Sequence, residues 1–353
     1  MRRLFGIVIL LSFCLNSLHA RPKPTRIVVA TYNIRYINRD DSIHGNGWAQ
    51  RSPWLARLVY AHGFEIFGTQ EGFKRQLDDL KALLPGYDYF GLGREDGKEA
   101  GEHSAIFYRT DLFKVIRHGD FWLSETPDRP SLGWDAACIR ICTWGHFKHI
   151  PSGREFLFFS LHMDHVGKKA RMESTRLVME KMKEFGDKLP AILVGDFNVD
   201  QNSDEYRDIV SSGVFNDAYQ SAKFRYAPNG TFNDFKPAGF TTSRIDHIFI
   251  SPSIDVDKYT ILTDTYRSRP KGQADTPVDP YSIRVLPYVA RTPSDHYPVR
   301  AELLFALSYS FSRFSISRSL SDRLTISNRM AHIPTEPTTL PIKVNTASGK
   351  AIS

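Results

Sequence analysis

Short runs of apolar, β-branched and aromatic residues alternate with amphipathic stretches between residues 26 and 305. Ile27–Ala30 is apolar throughout, which is typical of a buried strand. Further on, apolar residues recur at i, i+3, i+4 and i+7, the spacing that places them on one face of a helix. The predicted helices lie around Trp54–Val59, Phe73–Leu84 and Val178–Phe185. Strands interspersed with amphipathic helices predict an α/β layered domain.

The remaining strand candidates often follow one another without a helix between them, which favours mixed or antiparallel sheets. They are Ser104–Tyr108, Phe156–Leu161, Ala191–Val194, Ile245–Ile250 and Val299–Phe305. No repeat and no linker rich in Pro and Gly divides this part of the chain, so we expect one domain over residues 21–305. No phosphate-binding glycine motif follows a strand, which argues against a nucleotide-dependent phosphotransferase or a dinucleotide enzyme.

The two ends differ from the body of the chain. Arg2 and Arg3 precede the apolar stretch Leu4–Leu15, and small residues follow before Arg21. This order predicts a signal peptide over residues 1–20, and hence a secreted or periplasmic protein. Residues 306–353 are rich in Ser and then Pro and keep no strand or helix period, which predicts a disordered tail.

The net charge of +7 is concentrated in these ends. Residues 1–20 hold two basic and no acidic residues, and residues 306–353 hold six and two. Of the 46 basic and 39 acidic residues, 38 and 37 therefore remain in the body. A protein that coats nucleic acid needs many unpaired cations, so this class is excluded. We therefore expect the protein to contact only one or two phosphate groups of its substrate, within the site itself.

Two cysteines remain in the predicted mature chain, Cys138 and Cys142. In an extended segment, residues four apart lie about 13 Å from each other, too far for a disulfide. We therefore expect free buried thiols. Zinc is not expected, because no His stands at ligand spacing from either cysteine.

Polar residues occur where the apolar runs stop, and such strand ends are where sites assemble in layered folds. Taken singly, Asn33 or Asp196 is more often a turn former, Glu71 could begin a helix, and a histidine is usually a satisfied surface residue. Asp246 differs because a carboxylate inside an apolar strand is costly unless it is paired. Their joint occurrence favours a site formed by Asn33, Glu71, His162, Asp196, Asn198, Asp246, Asp295 and His296.

The chemistry of this set is coherent. Carboxylate and amide oxygens from Glu71, Asn33 and Asp295 suit Mg²⁺, or alternatively Mn²⁺ or Ca²⁺. An Asp that orients a His, with a second Asp and an Asn nearby, can prepare water for attack on a phosphate ester.

Seven motifs, taken in their order along the chain, resemble those of the endonuclease/exonuclease/phosphatase superfamily. Pancreatic-type deoxyribonucleases are one class of this superfamily. They are TYNIR (31–35), GTQEG (68–72), GEHSAIFYR (101–109), SLHMDH (160–165), GDFNVD (195–200), RIDHIFIS (244–251) and PSDHYPV (293–299). The resemblance implies a four-layer sandwich of two facing mixed β-sheets flanked by helices. Residues 121–137, with FWLSETP and GWDAA, resemble its secreted bacterial branch.

The resemblance also implies residue roles. Glu71 would be the main metal ligand, assisted by Asn33 and Asp295. Asp196 would align or deprotonate the water, or serve the leaving group. The remaining roles concern the phosphate: Asn198 and His162 would hold an oxygen, Glu102 would orient His162, and His296, steered by Asp246, would contact the phosphate or transfer a proton.

Several alternatives stay open. His247 stands where relatives usually carry an aromatic residue, and packing is favoured over function for it. Trp122 and Trp144 are more often core residues, whereas Trp134 could equally serve as a stacking platform. The substrate could be nucleic acid, a phosphorylated sugar or other small molecule, or a sphingomyelin- or inositol-type head group. A non-catalytic binding protein of the same fold is the rival class. No feature implies a stable protein partner, so we expect a monomer.

Overall fold

The computed structural model of the protein describes residues 24–270 and 286–306. All of them belong to one compact unit. The predicted signal peptide and, apart from Ala306, the predicted tail lie outside the described residues, so both stay predictions. In the two described ranges, no helix is long and apolar enough to cross a membrane.

The described strands, numbered along the chain, form two large sheets and one small one. The strands are β1 (Thr25–Asn33), β2 (Ile66–Gln70), β3 (Tyr87–Phe90), β4 (Ile106–Arg109), β5 (Phe113–Trp122), β6 (Ile141–His149), β7 (Glu155–His162), β8 (Ala191–Asp196), β9 (Asn216–Asp217), β10 (Ala222–Tyr226), β11 (Asp246–Ile250), β12 (Ile254–Ile261), β13 (Tyr266–Ser268), β14 (Val289–Arg291) and β15 (Val299–Phe305). The first sheet has the order β10-β12-β15-β1-β2-β4-β3 and the second has the order β5-β6-β7-β8-β11-β9, while β13 and β14 pair separately.

Both large sheets are mixed. In the first sheet, β1 is parallel to β2 and antiparallel to β15. In the second, β8 is parallel to β7 and antiparallel to β11. The described helices are α1 (Arg39–Ile43), α2 (Trp48–Ala61), α3 (Lys74–Leu83), α4 (Lys168–Gly186), α5 (Asp204–Ser211) and α6 (Ala218–Ser221). The three helices predicted from apolar spacing correspond to α2, α3 and α4.

Alternate side chains of the central strands point to different layers, as the period of two in a strand requires. Ile27 and Val29 of β1 belong to one buried cluster with Phe156 and Phe158 of β7, so the two sheets face each other. The opposite faces of the same strands pack outward. Tyr32 of β1 packs with residues of α2 and α3, and residues of β7 and β8 pack with those of α4 and α5. The four-layer sandwich is therefore confirmed.

The sheets approach closely beneath the site. Gly68 of β2 faces the second sheet, and a Cβ atom there would lie 2.5 Å from Ser160 Oγ and 2.6 Å from Val194 Cγ2. Any larger residue at position 68 would push β2 away from β7 and β8. The glycine of the GTQEG motif thus sets the distance between the sheets.

Two strands beside the site lay outside the predicted set. β5 exposes most of its middle residues and β6 carries polar residues among apolar ones, so neither shows a clean alternation. The strand predicted at Ser104–Tyr108 begins only at Ile106. Before it, Ala105 already accepts a hydrogen bond from Thr69, and His103 forms an isolated bridge with Gly72.

Candidate active site

The predicted site residues converge at one end of the two facing sheets. Asn33 ends β1, His162 ends β7 and Asp196 ends β8, whereas Asp246 begins β11. His162 and Asp246 are both in register with Asp196, one across a parallel pairing and the other across an antiparallel pairing. Glu71 directly follows β2, the parallel neighbour of β1, and so lies beside Asn33.

Three of these strand ends continue through left-handed backbone, which is unusual for residues other than glycine. The φ angles are 56° at Arg35, 66° at Glu71 and 52° at Asn198. Such strain persists only where surrounding contacts fix it. The Arg35 N–H donates to Asn33 Oδ1 at 3.0 Å, and the Asn198 N–H donates to Asp196 Oδ1 at 2.9 Å. The hydrogen bonds of the site itself therefore hold two of the three turns.

Asp196 is the centre of the hydrogen-bond network. Its Oδ2 accepts a hydrogen bond from Asn33 Nδ2 at 3.0 Å and lies 3.5 Å from His162 Nε2 and 3.8 Å from His296 Nε2. Burial raises the pKa of this carboxyl to about 7, and the nearby carboxylate of Asp246 adds to the effect. A carboxylate with a raised pKa is a better proton acceptor near neutral pH.

Asp246 and His296 form a buried pair. Asp246 Oδ2 lies 2.9 Å from His296 Nδ1, and both side chains are almost fully buried. Burial by itself lowers the pKa of His296, but the carboxylates of Asp246 and Asp196 outweigh it and raise the pKa well above its usual value. The imidazole is therefore charged, and its Nε2–H points toward Asp196.

His162 is held in the opposite protonation state. Asn198 Nδ2, which can only donate, lies 3.1 Å from His162 Nε2, so Nε2 accepts and the proton resides on Nδ1. Burial lowers the pKa of His162 well below its usual value, and the guanidinium groups of Arg140 and Arg94 add to the effect. Its Nδ1 lies 3.8 Å from Glu102, which pairs with Arg94 at 2.7 Å. The role of Glu102 in orienting His162 therefore stays a prediction.

The carboxylates at the centre fit a divalent cation. Glu71, Asp196 and His296 each offer one ligand atom, and these atoms lie within 4.8 Å of one another. The Asp246 carboxylate at Nδ1 favours the charged imidazole of His296, so the carboxylates of Glu71 and Asp196 are the favoured ligands of this group. Burial raises the pKa of Asp295, and the negative charge of Glu71 contributes to the increase. A carboxyl whose pKa is raised by a neighbouring carboxylate is one that a hard cation would stabilise in its ionised form.

Asn33 is placed differently from its predicted role. Its Nδ2 donates to Glu71 Oε1 at 2.9 Å as well as to Asp196, while its Oδ1 accepts from the Arg35 N–H. The amide thus joins two carboxylates through its nitrogen. Direct ligation would require the amide oxygen to face the cation instead, so Asn33 as a metal ligand stays a prediction.

Most of these groups line a cavity of about 490 Å³, which is of the size that takes a small organic ligand. Its lining has slightly more acidic than basic groups. The carboxyl groups are those of Glu71, Glu102, Asp196, Asp234 and Asp295, and the cationic groups are those of Arg35, Arg94, Arg140 and His296. A bound cation would therefore favour the entry of an anionic substrate.

Sequence reasoning missed nine residues of the cavity lining: Arg35, Tyr36, Arg94, Cys138, Arg140, His165, Phe232, Asp234 and Ile245. Three of them were within reach, because Arg35, His165 and Ile245 stand inside the quoted motifs TYNIR, SLHMDH and RIDHIFIS. Nothing in the local sequence pattern of the other six distinguishes them from surface residues.

The alternatives left open by the sequence have clear outcomes. His247 is fully buried between Phe197 and Tyr206, and its Nε2 lies 3.0 Å from the Val199 carbonyl, so packing is confirmed. Trp122 and Trp144 are core residues. Trp134 is half-buried in a loop with φ of 46° and does not line the cavity.

The thiol prediction needs one correction. Both cysteines are free and Cys142 is buried, but Cys138 is only partly buried and lines the cavity. Cys138, Asp164 and His165 also offer ligand atoms within 4.8 Å of one another, a grouping that sequence spacing does not reveal. The Asp164 carboxylate there accepts backbone hydrogen bonds from Cys138, Val166 and Gly167, so it serves to close its own loop.

The comparison with protein families agrees with this geometry. The model of the endonuclease/exonuclease/phosphatase family matches residues 30–296, which include every predicted site residue. The chain belongs to this family. Members of the endonuclease/exonuclease/phosphatase family are hydrolases that act on phosphate esters, and they typically depend on a divalent metal.

Two solved structures of Bacteroides thetaiotaomicron resemble this family member over nearly their whole length. One is a mannosyl-6-phosphatase, 59% identical, covering 79% of this chain and 100% of that chain, with a TM-score of 0.74. The other is an endonuclease/exonuclease/phosphatase family protein, 59% identical, covering 81% of this chain and 97% of that chain, with a TM-score of 0.75.

Curated relatives are more distant. An uncharacterised protein of Acanthamoeba polyphaga mimivirus is 30% identical over 43% of this chain, and a second one is 22% identical over 65%. The aligned regions cover 60% and 38% of those proteins, so this chain matches only part of each. Among solved structures, the human nocturnin catalytic domain is 18% identical, covers 80% of this chain and 94% of that chain, and has a TM-score of 0.55, which shows a common fold.

Proposed function

We propose that this protein is an exported, divalent-metal-dependent phosphomonoesterase that hydrolyses a hexose 6-phosphate, mannose 6-phosphate being the first candidate. The similarity to the mannosyl-6-phosphatase carries the proposal, because it extends over all of that chain at 59% identity. Export rests on the predicted signal peptide alone.

Charge and size support a small substrate. The body of the chain is almost neutral, which does not favour a long groove for a polyanion. A cavity of about 490 Å³ suits one sugar phosphate. A terminal phosphate carries close to two negative charges at neutral pH, whereas a diester carries one. Arg94 and Arg140 line the cavity next to His162, where their positive charge favours the more highly charged monoester.

The residues divide the work of hydrolysis between them. A divalent cation at Glu71, close to Asp196 and with Asp295 as the further predicted ligand, would supply positive charge to the phosphoryl oxygens. Asp196, at the centre of the hydrogen-bond network, accepts the proton of the attacking water. Asn198 and His162, which are joined through Asn198 Nδ2 and His162 Nε2, would lie beside the phosphate on the opposite side.

His296 completes the arrangement. Asp246 keeps its imidazole charged, so that its Nε2–H can donate to a phosphoryl oxygen as negative charge develops there. Asp246 is buried, and among the described side chains its carboxylate pairs only with this histidine.

A substrate panel tests the proposal. Purified protein with Mg²⁺ would be given mannose 6-phosphate, bis(p-nitrophenyl) phosphate and duplex DNA, and the turnover of each measured. We expect inorganic phosphate from the sugar ester at a kcat/KM at least 100-fold above that for the diester. Faster cleavage of the diester or of DNA would overturn the phosphomonoesterase proposal in favour of a nuclease.

A further inference from the structure

A loop at the rim of the cavity has an unusual and firmly fixed backbone. Asp234 and Phe235 are consecutive non-glycine residues in the left-handed region, with φ angles of 51° and 54°. Two such residues in sequence are costly, so the surrounding contacts must impose them. The backbone N–H groups of Asn233 and Asp234 both donate to the Asp295 carbonyl, at 2.7 and 3.1 Å.

Asn233 fastens the loop further. Its Nδ2 donates to the Ser294 carbonyl at 3.2 Å, and its Oδ1 accepts from Thr292 Oγ1 at 3.1 Å and from the Phe235 N–H at 2.9 Å. The loop is thus tied to the segment that carries Asp295 and His296. Whatever it presents to the cavity is fixed relative to the reacting centre.

What the loop presents is one aromatic ring and one carboxylate. Phe232 lines the cavity, is 42% exposed, and meets His296 edge-on, with ring centroids 5.1 Å apart and an interplanar angle of 69°. One large part of the ring is therefore not covered by the histidine. Asp234 also lines the cavity, and its carboxylate contacts Lys236 at 2.6 Å, with both side chains exposed.

We infer that Phe232 and Asp234 recognise the sugar of the leaving group, the ring packing against its C–H face and the carboxylate accepting hydrogen bonds from its hydroxyl groups. An apolar face bordered by hydroxyl groups is the surface that such a pair complements. This inference rests on the proposed phosphomonoesterase function and assigns the specificity of that site.

Two variants test it against two substrates. Asp234→Asn keeps the shape, and Asn adopts the left-handed conformation readily. Phe232→Ala removes the ring. In Asp234→Asn, the sugar hydroxyl groups lose their hydrogen bonds to a charged carboxylate, which should lower kcat/KM for mannose 6-phosphate about 10-fold. Loss of the ring contact should lower it about 5-fold. Turnover of ethyl phosphate, which has no sugar, should fall less than turnover of mannose 6-phosphate in both variants.

Binding gives a second readout. In protein carrying Asp196→Asn to prevent turnover, addition of Asp234→Asn should weaken binding of mannose 6-phosphate about 10-fold by calorimetry, with binding of inorganic phosphate unchanged. Matched controls outside the cavity are Asp255→Asn and Phe224→Ala, both at exposed positions. Neither should alter turnover of either ester or the binding of mannose 6-phosphate.

The outcomes separate the two proposals. If wild type hydrolyses neither ester, the phosphomonoesterase function fails and this inference fails with it. If wild type hydrolyses mannose 6-phosphate and the variants hydrolyse it equally well, or lose both esters to the same extent, the function stands and the sugar-recognition role of the loop is overturned.

Discussion

Replacing Asp196 by Asn should abolish most activity and yet stabilise the metal-free protein. Asp196 is 2% exposed, and folding raises the pKa of its carboxyl from 3.8 to about 7. A raised pKa in an acid means that the folded protein resists ionisation more than the unfolded chain does. Stability is therefore lost progressively as the pH rises from about 4 to 7.

The magnitude follows from the same shift. At pH 7 the ionised carboxyl costs the folded state about 4 kcal/mol relative to the unfolded chain. Asn removes this charge but places an NH₂ group where Oδ2 accepted from Asn33, which costs about 1 to 2 kcal/mol. Asn keeps an acceptor for the Asn198 N–H. The net expectation is about 2 kcal/mol of added stability, or a rise in Tm of about 3 °C.

Thermal unfolding with EDTA at pH 7 and pH 4.5 measures this. We expect the variant to melt above wild type at pH 7 and the difference to shrink at pH 4.5, where the wild-type carboxyl is protonated. Turnover with Mg²⁺ should fall about 10² to 10⁴-fold, the usual cost of losing a general base. A variant that melts well below wild type at pH 7, or that retains near-normal turnover, would refute the reasoning.

Four further predictions follow from the same contacts. Glu71→Gln should weaken Mg²⁺ binding at least about 10-fold by calorimetry and reduce turnover in proportion, whereas unchanged affinity would remove Glu71 from the metal site. His247→Phe should reduce the loss of stability between pH 6.5 and 5. Burial lowers the pKa of this histidine, so the unfolded chain takes up the proton first and the free energy of unfolding falls by up to about 1.4 kcal/mol per pH unit. Equal pH profiles of Tm in variant and wild type would contradict this. Arg140→Gln should lower kcat/KM about 10-fold for mannose 6-phosphate and less for a diester. Arg244→Gln is an equally buried control. Equal losses for both esters would contradict the idea that Arg140 favours the more highly charged monoester. A chain truncated to residues 21–305 should keep full activity, and mass spectrometry of exported protein should place cleavage near Ala20. A soluble but inactive truncation would contradict the predicted domain bounds, and retained Met1 would contradict the predicted signal peptide.

The sequence could predict the centre of the site because its residues come from strand ends. Apolar runs predict buried strands, and neighbouring strands bring their ends to the same edge of a sheet. Asp196, Asp246 and His162 are neighbours for this reason, through the register of β8 with β11 and β7. The same logic failed for β5, whose exposed residues interrupt the apolar pattern.

The rim of the cavity could not be predicted in this way. Arg94, Arg140 and Asp234 reach the cavity through loops and chain turns whose paths depend on tertiary contacts. Asp234 is an example, because its left-handed backbone is imposed by hydrogen bonds to Asp295, 61 residues further on. The protonation states of His162 and His296 likewise follow from partners that only the fold brings together.

The central claim is that the carboxylate cluster around Glu71 and Asp196 works with a divalent cation to hydrolyse a sugar phosphate. The most direct measurement is the initial rate of phosphate release from mannose 6-phosphate by EDTA-treated protein, before and after addition of Mg²⁺, with Glu71→Gln in parallel. We predict no release without the metal, turnover on its addition, and little recovery in the variant. Metal-independent release, or none under any condition in folded wild type, would contradict the account.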